Sequence, residues 1–311
     1  MSTVERNAEL ADFLRTRRAR LRPEDVGLVA DGRIRRVPGL RREELARSAG
    51  ISTEYYTRVE QGRAGNISRE ILDAIATALL LDEVERSHLD DLCAGGSPRR
   101  NGVSRPQQVR PGLLQLLDTL GHVPAFILGR RTDVLASNQL ARALITDFSA
   151  LPARKRNFAH FLFLDPAARP LFSDWERIAA DTAAVLRMEA GRHRHDHRLA
   201  DLIGELMLRV PEFNGWWASH HVRQRSHATK RCRHPVVGEL SFDYEALQLP
   251  GEPEQTLCVY TVKPGSPTQD SLRLLASWSA DGQVGLGVRG GEDIAAESVG
   301  QPSGGSASHP R

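Results

Sequence analysis

Residues 41–62, RREELARSAGISTEYYTRVEQG, read as two short helices broken by a single glycine, and this stretch constrains the fold more than any other. Leu45, Ala46 and Ala49 share one face of the first segment, and Tyr56 and Val59 share one face of the second, at the 3.6-residue period of packed helices. Gly50 supplies the positive φ that a sharp turn between helices requires, and Ala46 is small enough for the second helix to cross close above it. Ser52 is a good N-cap, Glu54 suits the positive end of the helix dipole, and Gly62 can take the left-handed position after Gln61.

Charge is unevenly spread around this hairpin. From Arg6 to Arg42 there are 11 Arg against 5 acidic residues, a balance of +6, and from Glu43 to Asp91 there are 5 Arg against 11 acidic residues, a balance of −6. Such a dipolar small domain orients on a polyanion and gains salt-dependent affinity from it. Glu9 to Leu21 reads as a preceding helix closed by Pro23, and the connector 22–39 reads as a basic loop carrying Arg33, Arg35 and Arg36. After the hairpin, Ile71, Leu72, Ile75, Ala76 and Leu79 recur at helical spacing behind Ser68, and Val84, His88, Leu89 and Leu92 do so again.

This stretch resembles the helix-turn-helix of the Xre and lambda-repressor family, whose pattern stands here as Leu45, Ala46, Ala49, Gly50, Ile51, Val59 and Glu60; Tyr56 is larger than the aliphatic residue usual there. The resemblance implies that double-stranded DNA is a partner and that the start of the second helix enters the major groove. Ser52, Thr53, Glu54, Thr57 and Arg58 are then the candidates for base contact, Tyr55 for a phosphate, and Arg41, Arg42 and Arg63 for phosphates that add affinity without choosing a sequence. Glu60 is expected to be structural. So few base contacts per copy imply a homodimer on two half-sites.

At 311 residues the chain exceeds one typical domain. Cys93, Cys232 and Cys258 are odd in number, far apart and in no CxxC spacing, which argues against a disulfide framework or zinc site and fits a reducing cytoplasm. No stretch approaches eighteen uninterrupted apolar residues, so a cytoplasmic protein without signal peptide or membrane span is expected. Ala94 to Pro106 has the composition of a linker.

Beyond the linker, Pro111 to Leu120 reads as a helix, Ala125 to Leu128 and Val134 to Ala136 as short strands, and Asn138 as the cap of a helix carrying Leu140 and Leu144. Helical stripes follow at Asp174 to Glu189 and at Leu199 to Leu206. Ser226 to Cys232, Val236 to Leu247 and Thr256 to Val262 read as strands; in the second, Leu240, Phe242 and Tyr244 alternate with Ser241 and Asp243. Two early strands, inserted helices and three late strands predict a five-stranded antiparallel sheet. The Gly- and Ser-rich tail after Ala280 is expected to be disordered.

This second unit resembles the ligand-binding domain of the MmyB-like transcription regulators of actinobacteria. The residues carrying the match are PAFILGRRTDVLASN (124–138), FLFLDPAARPLFSDW (161–175), HPVVGELSFDYEALQLP (234–250) and QTLCVYTVKPGSP (255–267). Ser137, Gln139 and Cys232 are local departures from the family pattern. The resemblance implies an α+β, multidomain chain: a lambda-repressor-like all-α bundle, then a PAS-like antiparallel sheet with inserted helices. Its implied layout is a tail at 1–8, a DNA-binding domain at 9–93, a linker at 94–108, a ligand-binding domain at 109–279 and a tail at 280–311. The ligand it implies is small and apolar or fatty-acid-like, with no cofactor. Phe126, Leu128, Val134, Phe161, Leu162, Leu240, Phe242 and Tyr244 are the expected cavity wall, although such alternating residues also make plain core.

A metal-binding sensor or enzyme domain fused to a DNA-binding module is the alternative. His193, His195 and His197 alternate like a metal tract, but they follow a helix among Arg and Asp, where a solvated loop is the commoner outcome. No HExxH, GxSxG or GxxxxGK[ST] pattern occurs, so neither catalytic residues nor metal ligands are assigned.

Overall fold

A computed structural model describes residues 3–28, 39–93, 107–223 and 227–280. The expected basic loop at Arg33, Arg35 and Arg36, the linker 94–106 and the tail 281–311 lie outside the described residues.

The N-terminal unit comprises α1 (Thr3–Arg20), α2 (Arg42–Ser48), α3 (Thr53–Glu60), α4 (Arg69–Ala78) and α5 (Glu83–Cys93). Helix α1 starts earlier than the apolar pattern marks, because residues 3–8 carry no helix breaker and extend it as a polar turn. The turn chemistry is as expected: Gly50 and Gly62 both have φ of 67°, and the Ser52 hydroxyl accepts the Tyr55 amide at 3.1 Å. Phe13, Leu14, Leu45, Ala46, Tyr56, Val59 and Ile75 are fully buried in one core. Gly39 admits the chain to α2. Its φ is 80°, and a Cβ there would overlap the backbone of Arg18 and Ala19, while Arg18 donates to the Leu40 carbonyl at 2.6 Å.

The second unit opens with α6 (Pro111–Thr119), β1 (Ala125–Leu128), β2 (Val134–Ser137) and α7 (Gln139–Leu144). Helices α8 (Phe158–Leu164), α9 (Ala168–Leu171), α10 (Trp175–Arg192), α11 (His197–Arg209) and α12 (Pro211–Ala218) follow, then β3 (His227–His234), β4 (Gly238–Leu249), β5 (Glu252–Thr261) and α13 (Pro267–Ala280). The five strands form one antiparallel sheet in the order β2-β1-β5-β4-β3. Asn138 caps α7 through its side-chain oxygen and also bonds the Ala125 amide, tying helix to strand.

The sheet has two unlike faces. Phe126, Leu128, Leu240, Phe242, Tyr244, Cys258 and Tyr260 point into the main core with the inserted helices. Ala125, Ile127, Leu257 and Val259 point the other way and are covered by Leu113 and Leu117 of α6. This double cover is why β1 is buried at every position and reads as a continuous apolar run, whereas β3 and β4 alternate with a solvent-facing side. Helix α13, which the apolar pattern did not mark, buries Leu272 and Leu275 in the main core, with Ala276 and Trp278 packed against it, while Leu274 stays exposed. No helix among the described residues is long and apolar enough to cross a membrane.

The two units are docked. Arg17 in α1 pairs with Glu85 of α5 at 2.9 Å and donates to the His220 carbonyl at 2.6 Å, across the boundary. Arg20 bonds the His221 ring at 2.8 Å, and Arg192 at the end of α10 pairs with Asp91 of α5 at 3.3 Å. His88 of α5 packs edge-on against Phe13 and lies so close to Gly191 that a Cβ at that glycine would meet its ring. Burial, then the charges of Arg187, Arg17 and Arg194, holds the His88 imidazole down at about 3. Burial and Arg187 depress His220 to about 4, with Asp12 opposing and Arg17 and Arg15 reinforcing.

Gly39→Ala is expected to destabilise the N-terminal unit by about 3 kcal/mol, since it combines a left-handed φ with a backbone overlap; thermal unfolding of the full chain reads this. Docking is expected to weaken in acid. A histidine near its ordinary pKa of about 6.5 when released, but depressed when docked, takes up a proton on release, so each of His88 and His220 favours separation by up to about 1.4 kcal/mol at pH 5.5. Small-angle scattering at about pH 7.5 and pH 5.5 should show a larger radius in acid, with His88→Leu removing about half of the dependence; an unchanged radius contradicts it.

Candidate DNA-binding surface and ligand cavity

The hairpin holds its second helix through a buried charge network. Glu60, at the end of α3, accepts from Arg18 of α1 at 2.8 and 3.0 Å and from Arg42 of α2 at 2.9 Å. Burial would raise the Glu60 carboxyl, but hydrogen bonding and charge from Arg18 outweigh it and hold the group below the usual carboxylate range. Beside it, burial and the Glu60 carboxylate push the Tyr56 hydroxyl far above its ordinary range. The large Tyr56 is therefore accommodated as a core residue next to the network, and Glu60 is structural as expected.

With its inner face clamped, α3 presents the other to solvent. Ser52, Thr53, Glu54 and Arg58 are exposed, as is Arg63 beyond the helix end. Thr57 and Tyr55 are half-buried: the Thr57 hydroxyl donates to the Thr53 carbonyl at 2.7 Å, and the Tyr55 ring leans on the core. Arg42 is partly committed to Glu60, and Arg41, whose amide bonds Glu44 at 2.7 Å, starts α2 and lies 3.7 Å from Glu43. The candidates thus lie along α3 and at both of its ends: Ser52, Thr53 and Glu54 at its start, Tyr55, Thr57 and Arg58 further along, and Arg63 with the Glu60-bound Arg42 and its neighbour Arg41 towards its end. The structure adds Gln61, exposed and one turn beyond Arg58, which helical spacing from Glu54 and Thr57 could have indicated.

In the second unit an open-mouthed cavity lies between the inner face of the sheet, the start of α8 and the middle of α10. Phe126, Leu128 and Tyr244 of the expected wall line it. Val134, Phe161, Leu162, Leu240 and Phe242 do not: they are buried in the core around it. The reason is position along the elements. Tyr244 is opposite Ala228 near the start of β3, whereas Leu240 is opposite Cys232 at the far end, about 13 Å away at 3.3 Å per residue. Phe242 faces inward but stacks on Tyr260, with ring centres 5.5 Å apart, and is sealed beneath it.

The missed wall residues carry the cavity's chemistry. Phe158, Ile178, Thr182 and Val185 extend the apolar lining, and Asp181 pairs with Arg223 at 2.5 Å on the lining. Thr132 lies in the left-handed region at φ 65°, costly for a β-branched residue, and its carbonyl and hydroxyl receive the amides of Phe158 and Ala159 at the start of α8. Lys230, on the inner side of β3, is buried among aromatic rings. Its ammonium lies 4.1 Å from the centre of Tyr244, 5.2 Å from Tyr260 and 5.3 Å from Phe158, and it donates to the Tyr260 hydroxyl at 3.2 Å. Burial lowers it to about 8, opposed by weaker effects from Cys258, Cys232 and Asp181.

Among the described residues no group of three His, Cys, Asp or Glu side chains is arranged to hold a metal ion. The His193–His197 tract is a loop and helix start, with His193 within 3.5 Å of Glu189 and His195 and His197 exposed.

Residues 109–275 match the model of the MmyB-like transcription regulator ligand binding domain, and residues 9–89 match a helix-turn-helix domain. The chain belongs to the MmyB-like transcription regulators. No curated protein matches it. Membership assigns the two units their coarse roles: an N-terminal helix-turn-helix domain, and a ligand-binding domain that contains the cavity.

Proposed function

We propose that this regulator binds a specific operator as a homodimer through α3, and that its cavity takes a small fatty-acid-like molecule whose carboxylate meets Lys230. The DNA part is carried by the exposed ridge of Thr53, Glu54 and Arg58 on a helix whose opposite face is locked by Glu60. Thr53 offers a hydroxyl and a methyl to a base edge, Glu54 an acceptor for a cytosine amine, and Arg58 a fork for guanine. Arg41, Arg42 and Arg63 flank the ridge where phosphates would run. One such ridge discriminates weakly, which favours two copies on paired half-sites.

The ligand part rests on Lys230. An ammonium in an apolar, aromatic cavity is costly without an anionic partner; Tyr260 and the ring faces supply partial compensation only. No carboxylate among the described residues is in ion-pair contact with it. A guest with an apolar body and one carboxylate fills both deficits at once.

Selection of binding sites from random DNA should return a palindrome, and Thr53→Ala with Arg58→Ala should cost about 2–4 kcal/mol of specific affinity, at about 1–3 kcal/mol for each good base contact. Unchanged affinity and preference in that double variant would remove the assignment of α3. For the cavity, calorimetry should show dodecanoate binding at least about tenfold tighter than 1-dodecanol, a preference lost in Lys230→Met. The acid requires the protonated amine, so its affinity should hold below about pH 8 and fall about tenfold per unit above it. Equal binding of acid and alcohol would refute the carboxylate.

A further inference from the structure

The stretch from Ser219 to Arg223 touches both units within a few residues. At its start His220 is held in the left-handed region at φ 52°, a conformation a non-glycine residue keeps only when its surroundings enforce it. The contacts around it come from both units: its amide donates to the Trp217 carbonyl at 3.3 Å at the end of α12, while from the helix-turn-helix domain Arg17 donates to the His220 carbonyl at 2.6 Å and Arg20 to the Ser219 carbonyl at 3.4 Å. Val222 then packs against the core of that domain. Its immediate neighbour Arg223 lines the ligand cavity, pairs with Asp181 of α10 at 2.5 Å and donates its amide to the Ala184 carbonyl at 3.4 Å.

We infer that this strap transmits the state of the cavity to the DNA-binding domain, with the Asp181–Arg223 pair as the input and Val222 as the output. Val222 is the next residue along the chain from Arg223, about 3.8 Å away between Cα atoms, so a shift of the Arg223 backbone acts on it directly. Helix α10 offers a second route: Asp181 lines the cavity, and Arg187, Gly191 and Arg192 lie further along the same helix. Arg187 holds the end of α12 by donating to the Trp217 carbonyl at 3.1 and 2.7 Å, so the start of the strap is anchored to the same helix. An occupant reaching the lining between Asp181 and Arg223 competes for that pair, shifts the strap, and so changes how α1 and α5 are held. The sense of regulation as a response to a bound molecule rests on the proposed reading of the cavity; the mechanical link between mouth and DNA-binding domain does not.

Hydrogen–deuterium exchange on the full chain tests this. Asp181→Asn, a change wholly within the second unit, should speed exchange in residues 10–20 and 86–93 by about fivefold or more, the lower end of ordinary allosteric coupling. Arg223→Gln should do the same from the other side of the pair, and it carries the test if Asp181→Asn unfolds the sheet, which exchange in β4 and β5 reports. Val222→Ala should speed exchange in those segments and leave Asp181→Asn with no further effect. If both pair variants alter only the cavity walls, the inference is overturned. Dodecanoate added to wild type should alter the cavity and the same two segments; a change confined to the cavity also overturns the coupling. If dodecanoate changes nothing anywhere, it is the proposed carboxylate ligand that fails, and the variants alone decide the strap.

Discussion

Helix α10 has to satisfy two cores at once, and the rest of the molecule is arranged around that constraint. Eleven of its eighteen residues are buried, which no helix on the surface of a single domain needs. Trp175 and Ile178 belong to the core under the sheet, Thr182 and Val185 face the cavity, and Arg187, Gly191 and Arg192 meet α12 or the helix-turn-helix domain. Glycine at 191 is required because the His88 ring fills the place of a side chain. A helix of this kind cannot move at one end without consequence at the other.

Buried cations recur at the joints of the structure, and each is treated differently. Arg18 meets Glu60 in a bidentate pair, so its charge is fully matched and the hairpin is rigid. Arg17 and Arg187 are depressed to about 10 by burial, and both spend hydrogen bonds on backbone carbonyls: Arg17 on His220, beside its pair with Glu85, and Arg187 on Trp217. Carbonyl dipoles compensate an ion less fully than a carboxylate does, so these contacts favour a docked state without making it irreversible. Lys230 has the least compensation of all, a phenol and three ring faces. Charge without a carboxylate in contact, at Arg187 and Lys230, thus lies at the joint between the units and in the cavity.

Much of this was legible in the residues. Apolar periodicity, capping residues and glycines marked the helix-turn-helix, because those signals are local and set by backbone sterics. Alternation in β4 and the short apolar runs of β1 and β2 predicted the five-stranded antiparallel sheet, while the second cover over β1 emerged only from the packing of α6. The cavity was legible only in part. Phe126, Leu128 and Tyr244 were identified by inward parity, but parity is equally true of Leu240 and Phe242, and it cannot say where along a strand packing stops. Lys230 shares its face of β3 with Cys232 and His234, so its inward direction could have been read from the strand; a lysine there was passed over because burial of an unpaired ammonium is not the default.

The sequence by itself determined the helical hairpin, its caps, the five strands and the exposed ridge of α3, since each depends on residues within a few positions of one another. Only the tertiary structure decided that residues more than fifty positions apart, Phe126 on β1, Asp181 on α10 and Tyr244 on β4, would enclose one space, and that Val222 and Arg223 would face different domains. Those outcomes depend on the order of strands and on the docking of α5 against α10, which are set by how all the apolar faces pack together and leave no trace in any single window of the chain.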